Sequence, residues 1–208
     1  MFDPQRILIL APHTDDGELG CGATIAKHAE AGNEITYVAF STCVPSLPTG
    51  LPPDTLIKEC KAATRSLGIQ DARFFDFEVR HFPAFRQAIL EELVKLNKSI
   101  SPQTVYLPAQ HDVHQDHHVI YTEGLRAFKD SNVFGYELPW NNVHFAPAFF
   151  EKLAPSHVHA KQEALKAYRS QAHRRYMNPD FIAALAMVRG VQCNAPFAEA
   201  FEVYRMSN

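Results

Sequence analysis

The chain has no basic excess: 20 Lys and Arg face 23 Asp and Glu, for a formal net charge of -3 over 208 residues. Composition therefore gives no support to a nucleic-acid partner or an anionic membrane surface. No apolar run approaches the roughly 18 residues of a membrane-spanning helix. The opening "MFDPQR" lacks the basic start and apolar centre of a signal peptide. A cytoplasmic protein without integral membrane contact is the expectation. Cysteine is sparse and scattered: Cys21, Cys43, Cys60 and Cys193 form no C-x-x-C pair, which argues against a disulfide framework or a cysteine-lined zinc cage. Neither G-x-G-x-x-G nor the G-K-[ST] ending of a phosphate-gripping loop follows the first strand. Internal repeats and low-complexity tracts are absent as well.

What is present suffices for one substantial core. At 46% hydrophobic residues, the 208-residue chain is expected to form a single domain, 1–208. Short aliphatic runs alternate with segments of helical period, the pattern of βαβ units around a parallel sheet. Strands are predicted at 6–11, 34–40, 72–77 and 104–107, with helices at 19–32, 54–67, from Pro83 to Lys98, and from the histidine-rich turn to Lys129. Segment 42–53, "TCVPSLPTGLPP", reads as a loop because four prolines and a glycine interrupt it. Beyond it lie "NVFGYEL", helices at 160–172 and 179–189, and a closing strand, "EAFEVYRM". The expected fold class is α/β, a Rossmann-like three-layer sandwich with a mostly parallel central sheet.

Two polar clusters sit where strands end, the place where a parallel sheet gathers its ligands. "APHTDDGELGCG" (11–22) supplies His13, Asp15, Asp16 and Glu18; "HDVHQDHH" (111–118) supplies His111, Asp112, His114, Asp116, His117 and His118. Four of the 11 histidines fall within those eight residues. Two imidazoles and a carboxylate make a three-ligand set typical of catalytic zinc, with iron, cobalt or manganese as other candidates. Taken alone, adjacent aspartates are more often turn formers or a helix N-cap. His28, His81, His144, His157, His159 and His173 read as ordinary structural or surface histidines.

The stretch from Ala11 to Thr42 resembles the opening of the LmbE-like, or PIG-L, N-acetylglucosaminyl deacetylase family, and "DVHQDH" (112–117) resembles its second motif, H-x-D-H. Further echoes appear in "KQEALKAYRSQ" (161–171) and "RGVQCNAPFAEAF" (189–201). The resemblance implies a Rossmann-like mononuclear zinc hydrolase that removes an acetyl group from an N-acetylated amino sugar. It also implies that His13, Asp16 and His117 hold the metal, that Asp15 is the general base, and that His114 faces the oxyanion or leaving amine with Asp116 as its orienting partner. A homo-oligomer is suggested on the same ground. The chain departs from the family pattern at Pro12, Thr14 and Gly17, the last standing where a glutamate is common. Its 42–53 loop lacks the arginine some relatives use on a phosphate or sugar.

In that reading the metal acidifies its water and Asp15 takes the proton as the acetamide carbonyl is attacked. Asp116 is expected to hold His114 cationic beside the developing oxyanion. Glu199 and Arg189 would shape the pocket or form an ion pair. Trp140 would stack on a sugar ring or serve as a core or interface residue, and the Phe-rich "FAPAFF" (145–150) would mark a subunit contact. Two other readings stay open: an amidase acting on another N-acyl compound, and a non-catalytic metal- or nucleotide-binding module.

Overall fold

The computed structural model describes residues 4–206; the Met1–Asp3 part of the leader reading lies outside the described residues. Seven strands form one sheet: β1 (Arg6–Ala11), β2 (Glu34–Ala39), β3 (Asp71–Phe74), β4 (Thr104–Pro108), β5 (Asn132–Tyr136), β6 (Phe149–Leu153) and β7 (Phe197–Arg205). Their order is β3-β2-β1-β4-β5-β7-β6. The first five run parallel, while β7 is antiparallel to both of its neighbours. Helices α1 (Asp16–Glu30), α2 (Thr55–Ser66), α3 (Arg86–Ile100), α4 (Gln115–Ala127), α5 (Pro155–Leu165) and α6 (Pro179–Gln192) cover the two faces.

β1 shows why the sheet is buried on both sides. Ile7 and Ile9 enter the core shared with α1, α2 and α5, whereas Leu8 and Leu10 enter the core shared with α3 and α4. Side chains alternate along a strand, so a continuous aliphatic run serves two layers of helices. From β1 the chain winds outward through β2 and β3, then crosses back to β4 on the other side of β1. This reversal opens a crevice at the carboxyl ends of β1 and β4.

Several expectations are corrected. β3 stops at Phe74 rather than Phe77, and α1 begins at Asp16 rather than Leu19. Pro83 lies in a 3-10 turn, Phe82–Phe85, which precedes α3. α5 occupies Pro155–Leu165 instead of 160–172 because Pro155 stands in its first turn, where a missing N–H costs nothing. The rest of that segment contains a 3-10 turn at Arg169–Gln171, and a second one follows at Arg175–Met177. β6 is a strand the sequence pattern does not predict: "FAPAFF" enters it, and Phe149 packs on Phe134 at 5.0 Å between ring centroids. Loop 42–53 carries only a short 3-10 turn at Val44–Ser46.

All four cysteines are free, three of them buried. No helix among the described residues is long and apolar enough to cross a membrane.

Candidate active site

α1 starts immediately beyond β1 and contains a break at Cys21, whose φ of -142° and ψ of 26° leave the helical region. Each side of the break is satisfied by a buried ion pair. Glu199 accepts from the N–H groups of Ala23 (3.2 Å) and Thr24 (2.7 Å), capping the second half. Lys161 Nζ donates to the Leu19 carbonyl (2.6 Å) and to Glu199 (2.7 Å), completing the first half. The first half packs tightly: a Cβ on Gly20 would stand 2.3 Å from the Tyr136 ring. Glu199 is thus a helix staple, and Arg189 pairs with Glu137 (2.9 Å); neither lines the cavity described below.

At the crevice, three electron-pair donors converge. Asp16 Oδ2 lies 3.0 Å from His13 Nδ1 and 3.2 Å from His117 Nε2, and those two nitrogens are 3.1 Å apart. The opposite nitrogen of each ring faces a carboxylate: His117 Nδ1 meets Asp112 Oδ2 at 2.7 Å, and His13 Nε2 meets Asp116 Oδ2 at 3.0 Å. When the rings are neutral, as a metal requires, these partners hold each N–H on the outer nitrogen and leave the lone pairs inward, the usual support of metal-ligating histidine. Tetrahedral zinc with ligand distances of about 2.0–2.1 Å needs ligand atoms about 3.3 Å from one another. The observed spacing fits such a cation.

His114 also lies nearby, its ligand atom within 4.8 Å of those of His13 and His117. Asp16 is the better third ligand, because His114 Nδ1 already accepts the Asp116 backbone N–H (3.2 Å). The Asp116 carboxylate serves His13 rather than His114, whose Nδ1 stands 4.0 Å away. Its remaining partners are the backbone N–H groups of Arg80 (2.6 Å) and Phe82 (3.2 Å). Burial, then His117 and His13, lower the His114 pKa to about 4. The expected cationic His114 held by Asp116 is therefore replaced by a neutral ring with its proton on Nε2.

Electrostatics sort the remaining acids. Burial opposes a charge on His117, but Asp16 and Asp112 outweigh it and raise the pKa to about 10, so in the absence of a metal the site holds a proton. The same pair of rings keeps Asp16 well below the carboxylate range, against its own burial. Asp15 occupies the N-cap position of α1 yet its side chain makes no capping bond. Its carboxylate lines the cavity instead, and burial together with Asp16 raises its pKa to about 6. Glu18 sits behind this turn. Its carboxyl meets the hydroxyls of Tyr37 and of Tyr168 (2.8 Å), both of which also reach the Thr14 carbonyl, at 2.9 and 2.5 Å. Two phenolic protons cannot serve all of these acceptors, and burial raises Glu18 to about 8, so the neutral acid completes the network. Gly17 leaves room for it: a Cβ there would lie 2.5 Å from the Tyr37 ring.

The crevice opens into a cavity of ≈ 270 Å³. Trp140 lines it with one face stacked on Tyr176, ring centroids 4.2 Å apart. Arg80 and Arg174 line it too. His111 packs on His144, and His118 packs beside Tyr121; neither lines the cavity. Sequence reasoning assigned no role to Asp112, although its place in "HDVHQDH" offered a signal. Arg80, Arg174 and Tyr176 carried no such signal, since they arrive from segments remote from both motifs.

Residues 8–128, more than half of the chain, match the PIG-L family, described as GlcNAc-PI de-N-acetylase. The chain belongs to the PIG-L family. This membership makes it a deacetylase enzyme. An uncharacterized deacetylase of Escherichia coli, YaiS, is 30% identical over 175 residues, 80% of this chain and 91% of that protein. The 1D-myo-inositol 2-acetamido-2-deoxy-alpha-D-glucopyranoside deacetylase of Salinispora arenicola is 31% identical, across 64% of this chain and 53% of that protein. Among solved structures, the N,N'-diacetylchitobiose deacetylase of Pyrococcus horikoshii superposes with a TM-score of 0.82 at 19% identity, covering 97% of this chain and 84% of that one. It shares the PIG-L family fold.

Proposed function

We propose that the protein is a metal-dependent hydrolase that removes the acetyl group from an N-acetylglucosamine-type amino sugar, free or conjugated, with residues 1–208 as one catalytic unit. The observation that carries this reading is the convergence of His13 Nδ1, Asp16 Oδ2 and His117 Nε2 within 3.0–3.2 Å, with each ring backed by a carboxylate on its other nitrogen. Zinc suits two imidazoles and a carboxylate; iron, cobalt and manganese fit the same donors. When bound, such a cation acidifies water and polarises a carbonyl.

The chain's own groups supply the rest. Asp112 and Asp116 fix the ligand rings. Asp15, uncommitted by capping, takes the proton of the attacking water as it adds to the acetamide carbon. His114 donates its Nε2 proton towards the acetamide oxygen, where negative charge develops. As the C–N bond breaks, the proton held by Asp15 passes to the amine, which leaves with acetate as the second product.

The direct test is release of amine and acetate from N-acetylglucosamine glycosides by zinc-loaded protein. Asp15→Ala is expected to keep its metal and lose most turnover, while His117→Ala loses metal by atomic emission. Full activity in Asp15→Ala would remove the base assignment. Turnover only of N-acyl amines that are not sugars would replace the sugar reading with the amidase one.

A further inference from the structure

The chain has one tryptophan, and it stands at the site. Trp140 lies in the turn after β5 and lines the cavity that holds His13, Asp15 and His117. Tyr176 lies flat against the indole, ring centroids 4.2 Å apart and planes 14° from parallel, and Phe181 stands beside it at 6.2 Å, tilted by 57°. Tyr176 rests in turn on the core shared with α1, α2 and α5. With two aromatic neighbours, Trp140 still keeps 38% of its surface exposed. A tryptophan that serves packing alone is on average far more deeply buried.

The turn that carries Trp140 is tied to the second histidine motif. The Leu138 carbonyl accepts the N–H groups of Asn141 (2.8 Å) and Asn142 (3.0 Å), and the Leu138 N–H donates to Asn142 Oδ1 (2.7 Å), which closes the turn. The Val113 N–H donates to the Asn141 carbonyl at 3.1 Å, and Asn141 Nδ2 donates to Asp112 Oδ2 at 3.4 Å. Asp112 is the carboxylate behind His117, at 2.7 Å. One short segment therefore carries the indole and braces the partner of a ligand ring, so the indole keeps a fixed register with the metal donors.

The negative face of an indole attracts the polarised C–H groups that a pyranose presents on one side of its ring. A closed ring holds those groups in one plane beforehand, whereas an open chain must give up its freedom to do so. We propose that Trp140, held in its plane by Tyr176, selects pyranose rings over open-chain N-acyl compounds in this cavity. Trp140 touches the sugar, and Tyr176 is a positioning residue behind it. The amide cleaved beside that ring rests on the deacetylase reading; the ring preference rests on the stack.

The first test compares methyl N-acetylglucosaminide with N-acetylglucosaminitol, which carries the same acetamide on an open chain, using the metal-loaded full chain. The closed ring is expected to be favoured about tenfold or more in kcat/KM, chiefly through KM. Trp140→Leu is expected to bring that ratio close to one at wild-type metal content. Trp140→Phe should keep part of the preference, and Tyr176→Leu should lower it without abolishing it. Equal use of both substrates by the wild type, or an equal loss on both in Trp140→Leu, overturns the proposal.

Because Trp140 is the sole tryptophan, its fluorescence reports occupancy of the cavity without turnover and without a variant. Methyl glucosaminide is expected to shift the emission saturably, with a midpoint about tenfold or more below that of glucosaminitol. If nothing is hydrolysed yet this preference appears, the ring-selecting stack stands and the deacetylase reading falls. If hydrolysis proceeds while both ligands shift the emission equally, the stack's role falls and the deacetylase reading stands. No response to either ligand removes that role whatever the activity.

Discussion

The adjacent aspartates divide their work by direction. Asp16 turns inward to His13 and His117, whereas Asp15 faces the cavity with a pKa raised to about 6. A general base must be ionised, so kcat/KM should rise with pH along an acid limb at or below pH 6, since a bound cation lowers the Asp15 value further. A pH–rate profile checks this; a limb that survives unchanged in Asp15→Glu assigns it to another group. Glu18 makes the opposite kind of prediction. Its folded pKa of about 8 is raised, so its contribution to stability is complete at low pH and declines as pH rises towards 8. Glu18→Gln, which keeps the shape of the neutral acid, should flatten that decline by up to about 1.4 kcal/mol per pH unit. Urea unfolding at pH 5 and pH 8 measures the difference; identical slopes in both proteins would show that Glu18 is ionised.

α1 performs its task because it is broken. Its first half presents Asp16 and packs Gly20 on Tyr136, and its second half restarts at Ala23 on the Glu199 carboxylate. Lys161 and Glu199 are both buried, their side chains 5% and 8% exposed, so removing one strands a charge in the core. Lys161→Met should cost about 3–5 kcal/mol of stability in denaturant unfolding. The double variant Lys161→Met/Glu199→Leu should recover part of that loss, and strict additivity would refute the coupling.

For the whole molecule, binding of the cation is linked to protons. At neutral pH the metal-free site holds a proton on His117, whose pKa is about 10. Metal loading at pH 7 to 8 should therefore release about one proton, and affinity should rise with pH. Titration calorimetry in buffers of different ionisation enthalpy reads this number; zero release would show that the rings are neutral beforehand. At a metal concentration 100 times Kd, loading should also add about 2.7 kcal/mol to stability, visible as a higher Tm that a chelator reverses.

The sequence by itself determined the alternation of aliphatic strands with helices, the two clusters at strand ends and, through the resemblance of their motifs, the family. Those features are local: a run such as "RILILA" is buried on both faces wherever it sits, and "HTDD" leaves its strand as a turn. Only the tertiary structure decided which aspartate serves which histidine, because those choices depend on how β1 and β4 lie side by side. Parallel pairing at the switch point brings His13 within 3.1 Å of His117 across 104 residues of sequence. It also sends Asp116 to His13 instead of His114, and seats Arg80 and Arg174 on a cavity their local sequence does not announce. Side-chain direction across the crevice is set by packing from several elements at once, which no window along the chain contains.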